Sequence, residues 1–208
     1  IETNKFNKFI LDKASLSDDI KLELKTVKFR LNLKKFSLFV ETKRPELTYK
    51  EVFVPIENIK LFIDFLSSIR SEPRIKKTNI IFDELDIKKL NELSIFIKPS
   101  NLKSIINNKV KNGKLISEID IFFDNQGAIS EFIARGTVKN FEAELLNDLN
   151  LQKTSFSFFA DKKDILLKKI NGKLQDIQIS DGDIKLDLEN GIKFNKNFNS
   201  KIDLNRNL

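Results

Sequence analysis

Between Ile165 and Phe194 apolar and polar positions alternate, and Gly172, Gly182 and Gly191 recur at near ten-residue spacing. Side chains of a strand point to opposite faces in turn, so Ile177 and Ile179 share one face and Ile184, Leu186 and Leu188 another run of the same kind, with Gln178, Lys185 and Asp187 opposed to them. The pattern predicts consecutive antiparallel strands with one apolar and one charged face. Asp181-Gly182 and Asn190-Gly191 are expected to form tight hairpin turns, since such pairs tolerate positive φ.

The same period recurs upstream. Ile20, Leu22 and Leu24 alternate, the phase slips, and Val27, Phe29, Leu31 and Leu33 resume it before Phe36, Leu38 and Val40. The slip predicts a turn or bulge. Short strands are expected at Ile80 with Phe82, Leu85 with Ile87, and Leu93 to Ile97. Ile119 to Phe123 and Phe132 to Val138 flank the turn Asn125-Gln-Gly127, and Thr154, Phe156 and Phe158 share a face. Phe141, Leu145 and Leu149 fit either a strand or a helix, with neighbouring strands favouring the first. Leu102, Ile105 and Ile106 could form one or two helical turns.

One stretch changes period. From Pro55, residues Ile59, Phe62, Ile63, Leu66 and Ile69 fall at helical spacing, widened by Leu61 and Phe65, and Glu72-Pro73 would stop the element. The expected fold is therefore mainly β: an elongated, curved antiparallel sheet with one principal amphipathic helix near 55–71. It is read as a single unit over 1–208, with a helix-bearing portion at about 50–110 and a hairpin-repeat portion at about 113–200.

Composition narrows the chemistry. Cysteine and histidine are absent from the 208 residues, which removes disulfides, thiolate chemistry, the commonest general base and the commonest metal ligand. The net charge of +7 comes from 37 Lys and Arg against 30 Asp and Glu, scattered without a basic block, so no nucleic-acid partner is expected. Asp181-Gly-Asp183, near Asp176 and Asp187, lacks the ligand ladder of a calcium loop and reads as a turn. Asp83, Glu84 and Asp86 show no sign of facing across a sugar cleft. No nucleophile elbow, P-loop or dinucleotide fingerprint occurs. The expectation is a protein that is not an enzyme, with no cofactor and no metal. Methionine is missing even at position 1, so the chain is expected to be part of something longer.

Short phrases in the C-terminal half carry a resemblance: Gly136-Thr-Val-Lys-Asn-Phe141, Thr154-Ser-Phe-Ser-Phe-Phe-Ala-Asp161, Asp164 to Ile170 with Asn171-Gly172, and Ile177-Gln-Ile-Ser-Asp-Gly-Asp-Ile184. They resemble the repeating β-groove region of the AsmA-like clan of bacterial envelope proteins, and Val54 through Pro73 resembles the helix-bearing stretch of its YhdP-type members. The resemblance covers about two thirds of the chain and includes no catalytic signature. It implies a periplasmic groove segment of a bridge-like lipid-transfer protein, whose parent is anchored in the inner membrane and takes part in lipid transport and outer-membrane biogenesis.

On that reading the partners are phospholipid acyl chains, with other envelope proteins as further candidates. The lining is expected to be Phe123, Phe132, Phe156, Phe158, Ile165, Leu167, Ile177, Ile179, Ile184, Leu186 and Leu188, and the helix Pro55 to Ile69 is expected to cover the core, with capping the trough or plugging its end as the alternatives. The alternative is a non-enzymatic envelope scaffold with a closed β-sandwich core or an edge strand that pairs with a partner. Strand order separates the two, because a groove is one meander of hairpins whereas a sandwich has Greek-key returns.

Overall fold

The computed structural model describes residues 20–24, 27–32, 37–64, 74–87, 89, 108–146, 149–175, 177–187 and 193–201. Its strands are β1 Ile20–Glu23, β2 Val27–Asn32, β3 Ser37–Lys43, β4 Glu46–Tyr49, β5 Val52–Ile63, β6 Ile75–Phe82, β7 Leu85–Asp86, β8 Val110–Phe123, β9 Ile129–Leu146, β10 Leu149–Ala160, β11 Asp164–Leu174, β12 Ile177–Asp187 and β13 Lys193–Lys201. The chain is mainly β, and these strands pair as one open antiparallel sheet. It divides into two compact units, Ile1–Asp83 with Glu118–Ile133 and Glu84–Ser117 with Ala134–Leu208.

In the first unit two long strands are each broken once. β1 and β2 are separated at the phase slip after Leu24, and β3 and β4 at Arg44-Pro45. β4 pairs with the start of β5 and β3 with its end, while β1 pairs with β4 and β2 with β3. The meander is thus sequential once the breaks are allowed for. Lys50 and Glu51, at φ 46° and 70°, form the two-residue turn into β5, the conformation that matches strand twist.

Direct pairing sorts the side chains of this unit into two faces. Val27, Phe29, Val40, Ile59, Leu61, Ile80, Ile119 and Ile121 lie on one. Val27, Val40 and Ile63 are buried there, and Leu22 of β1 and Leu24 just after it pack against them with Phe29, Leu38 and Leu61. Glu41, Lys60, Asn79 and Asp120 form a row on the other face.

The helix expected from Pro55 is not formed over 55–63, which belong to β5. Buried and exposed positions alternate there: Val54, Ile56 and Asn58 are buried, Phe53 and Glu57 exposed. A run of Val, Phe and Ile suits a pleated surface better than a helix. Pro55 lacks an N–H, yet its carbonyl still accepts the Asp83 N–H at 3.2 Å. Of the expected helical face, Ile59 and Ile63 share the apolar face of the sheet and Phe62 points to the polar one, opposite Lys77. Leu66 and Ile69 lie outside the described residues, as do the expected strand Leu93 to Ile97 and the turns at Leu102 to Ile106.

In the second unit each strand from β9 to β13 pairs with its sequence neighbours, the order of a meander. The segment Phe141 to Leu145 is strand, within β9. The expected turn at Asp181-Gly182 is not a turn, and Asn171-Gly172 is not one either. Asp181-Gly182 lies inside β12 and Asn171-Gly172 inside β11; the β11–β12 reversal falls between Leu174 and Ile177, with Gln175 at φ 54°. Asn190-Gly191 is outside the described residues. In the first unit the turn at Asn125-Gln-Gly127 is present, with Gly127 at φ 84° and the Asp124 carboxylate accepting the N–H groups of Gln126 and Ala128.

Candidate functional site

Four strands of the second unit carry the same irregularity at neighbouring places. Asn140 in β9, Lys153 in β10, Lys169 in β11 and Asp181 in β12 have φ between 47° and 54°, and the pairing register shifts beside each of them. Each is the extra residue of a β-bulge. A bulge reverses the alternation, so two apolar or small residues spaced three apart end on one face: Val138 and Phe141, Leu151 and Thr154, Leu167 and Ile170, Ile179 and Gly182. Without the bulges every strand would turn half its apolar residues to the charged side. Bulges also raise local twist, and a row of them coils the strands that share it.

The hydrogen bonds displaced at the bulges are partly replaced by side chains. Asp183 Oδ1 accepts the Lys169 N–H at 3.1 Å, Asn171 Oδ1 accepts the Asp181 N–H at 3.2 Å, and Asn171 donates to the Lys169 carbonyl at 2.8 Å. The acidic group at Asp181-Gly-Asp183 is thereby accounted for as a bulge.

The resulting apolar face has two zones. Along the bulges it is closed: Val138, Ala143, Ile170 and Thr154 are buried, Thr154 completely. Phe141 and Phe156 meet edge to face at 5.5 Å between centroids. Thr154 lies across Gly172, where an added Cβ would come within 2.2 Å of Oγ1 and 2.9 Å of backbone Cα. Ile87, on the segment after β7, lies in the same way over Gly113. Away from the bulges the face is half-buried. Phe158 pairs with Gly136 and Leu167, and Leu167 with Ile184; Ala160 pairs with Ala134 and Ile165, and Ile165 with Leu186. A Cβ at Gly136 would meet the Phe158 ring and the Ile116 carbonyl. Glycine at these places is required for the absence of Cβ.

The expected lining residues Phe156, Phe158, Ile165, Leu167, Ile177, Ile179, Ile184 and Leu186 fall on this one face, all half-buried. Phe123 and Phe132 are also half-buried but belong to the first unit, where Phe123 follows Ile121 on its apolar face. Leu188 is outside the described residues. The expected lining leaves out Val138, Ala143, Ile170 and the glycines, and also Thr154, although alternation places Thr154 on one face with Phe156 and Phe158. Their signal was the three-residue spacing of apolar or small residues across a polar pair, as in Leu167-Lys-Lys-Ile170.

Charged groups of the second unit sit around this face. Lys185 pairs with Asp164 at 2.9 Å on the outer side of the strands, and the carboxylate raises the lysine above its ordinary pKa. At the β10–β11 turn the Asp161 carboxylate accepts the N–H groups of Asp164 and Lys163, both at 2.8 Å, which holds it below its ordinary pKa.

The first unit holds a different arrangement. On its polar face Glu41, Asn58, Asn79 and Asp120 are buried. Glu41 accepts from Asn58 at 2.9 Å and from Arg30 at 2.8 Å; Asn79 donates to Glu118 at 2.6 Å and Asp120 at 2.8 Å. Lys77 pairs with Asp120 at 2.9 Å and sits over the rings of Phe62 and Phe122. The Asn58 hydrogen bond, followed by Arg30 and Lys60, outweighs burial and holds the Glu41 carboxyl below its ordinary value. Two polar arrays result, one joining β2, β3 and β5 around Glu41 and one joining β6 and β8 around Asp120.

Among the described residues no group of three or more His, Cys, Asp or Glu is placed to hold a metal ion. No helix among them is long and apolar enough to cross a membrane. Comparison with protein families, characterised proteins and solved structures finds no match for this chain.

Proposed function

We propose that the apolar face of the second unit is a trough that holds lipid acyl chains, and that the chain is a segment of a longer lipid-transfer groove in a bacterial cell envelope. The observation that carries this reading is the continuity of the half-buried strip across β9 to β12, in a meander whose bulges keep apolar residues on one side. The strip offers hydrocarbon an apolar surface and makes no hydrogen-bonding demand. A methylene fully removed from water contributes roughly 0.8 kcal/mol, and one resting on an open face about half of that. Such a wall binds tails without reading their sequence of atoms, which suits passage along it. In the same reading the parent protein is periplasmic and anchored in the inner membrane, the chain itself is not an enzyme, and phospholipid is its partner.

Leu167 and Leu166 test the face directly, being adjacent, both half-buried and on opposite sides of β11. Leu167→Asp is expected to abolish uptake of a fluorescent phospholipid while the far-ultraviolet circular dichroism is kept. Leu166→Asp is expected to retain uptake. Equal uptake by both variants, with the fold intact, would refute the assignment of the inward face. Unfolding by Leu167→Asp alone would favour the scaffold with a closed core.

A further inference from the structure

The open strip ends on a cation. Gly136, Phe158, Leu167, Ile184 and Lys196 are directly opposite one another in successive strands from β9 to β13. They form one row across four inter-strand gaps, about 19 Å at ~4.8 Å per gap. Lys196 therefore projects from the apolar face, and it is exposed. Its cross-strand neighbour is Ile184, and the diagonal positions on β12 are Gly182 and Leu186. The acids of β12 point away: Asp183 is opposite Asn197 and Asp187 opposite Lys193, on the outer side. Two residues further along β13, Phe198 lies over Gly182, which Ile170 flanks as well, and extends the apolar floor beside the lysine.

We propose that Lys196 is the headgroup contact of this trough, so that the ligand is an anionic amphiphile with its tail across Ile184, Leu167 and Phe158 and its carboxylate or phosphate at the Lys196 ammonium. The inference rests on the acyl-chain reading above and adds the sign of the head and the direction of the tail. Charge complementarity selects this occupant. A neutral tail satisfies the row but leaves the cation with water, whereas a free anion satisfies the cation and leaves the row exposed. Only a molecule with both parts matches the whole row.

The test compares oleate, oleyl alcohol, a lysophosphatidylglycerol and inorganic phosphate as competitors of a bound fluorescent fatty acid, on the wild-type chain and on Lys196→Gln, Lys196→Arg and Lys196→Glu. The expected result is that the wild type prefers oleate and the lysolipid over oleyl alcohol by about two- to fivefold, the scale of an exposed ion pair. Lys196→Gln removes that preference by weakening only the anionic ligands, Lys196→Arg keeps it, and Lys196→Glu reverses it. Raising the salt concentration shrinks the preference in the wild type alone. An unchanged preference in Lys196→Gln overturns the proposal, including the case in which that variant merely self-associates because the lysine guards an edge strand. Displacement by inorganic phosphate alone overturns the requirement for a tail. If the neutral and anionic amphiphiles bind the wild type equally, the headgroup assignment fails while the trough stands. If neither binds, the trough itself fails.

Discussion

Replacing Gly172 by alanine probes the closed zone of the trough at a single atom. The added Cβ would stand 2.2 Å from Thr154 Oγ1, 2.8 Å from its Cβ and 2.9 Å from its Cα. The hydroxyl can rotate away, at the cost of its 3.0 Å hydrogen bond to the Gln152 carbonyl. The Cα cannot move without shifting β10, which is held between β9 and β11. Overpacking of this kind costs about 1–3 kcal/mol, and the backbone contact places Gly172→Ala in the upper half of that range. Thr154→Gly in the same chain removes two of the three contacts, so the double variant is expected to recover about 1 kcal/mol of the coupling beyond additivity. Urea titration followed by far-ultraviolet circular dichroism measures both, as a lowered midpoint at constant slope. A Gly172→Ala midpoint equal to the wild type, or strictly additive behaviour with Thr154→Gly, would refute the packing of Thr154 across Gly172.

Two further outcomes follow from the same geometry. Lys153 and Lys169 hold positive φ with a side chain that disfavours it, so Lys153→Gly and Lys169→Gly are each expected to stabilise by up to about 1 kcal/mol, and Asn140→Gly by less because asparagine tolerates this region; thermal unfolding of the three variants gives the order. In the first unit Glu41 has a carboxyl lowered from its ordinary 4.5 by Asn58 and Arg30. A depressed folded-state value means stability that is present above the unfolded value and lost as pH falls through the folded one. Wild-type stability should therefore drop from about pH 5 downward by more than that of Glu41→Gln, and parallel acid titrations of the two would contradict the assignment.

Much of the second unit was legible from alternation alone. Ile177 with Ile179, Ile184 with Leu186, and Phe156 with Phe158 each kept their common face. What alternation could not give was the relation between successive runs, because the bulges at Lys169 and Asp181 insert one residue apiece. Gly182 invited a turn reading for the same reason, since a glycine required beneath a neighbour's side chain looks in sequence like one required for φ. The helix from Pro55 failed differently. Ile59 and Ile63 are four apart and share a face in either element, so Phe62 is what distinguishes the two. Asn58 is buried on the polar face of the sheet because Glu41 on the adjoining strand β3 supplies a partner that is seventeen residues away.

The polar face of the first unit shows the same limit from the side of charge. Scattered Lys, Asp and Glu suggested solvated strand surfaces, yet Glu41 and Asp120 are buried among Arg30, Lys60 and Lys77. Pairing across strands determines which charges meet, and register was not available from composition. Breaking one partner leaves another buried charge uncompensated, which is costly even where the intact pair is close to neutral in its net effect.

The measurement that bears most directly on the central claim is mass spectrometry of the purified wild-type chain under non-denaturing conditions, before and after incubation with mixed phospholipid vesicles, followed by extraction of whatever is bound. The predicted result is a monomer carrying acyl lipid, enriched in anionic headgroups relative to the vesicles. A folded chain that stays free of lipid after incubation would contradict the trough and leave the apolar face to a protein partner.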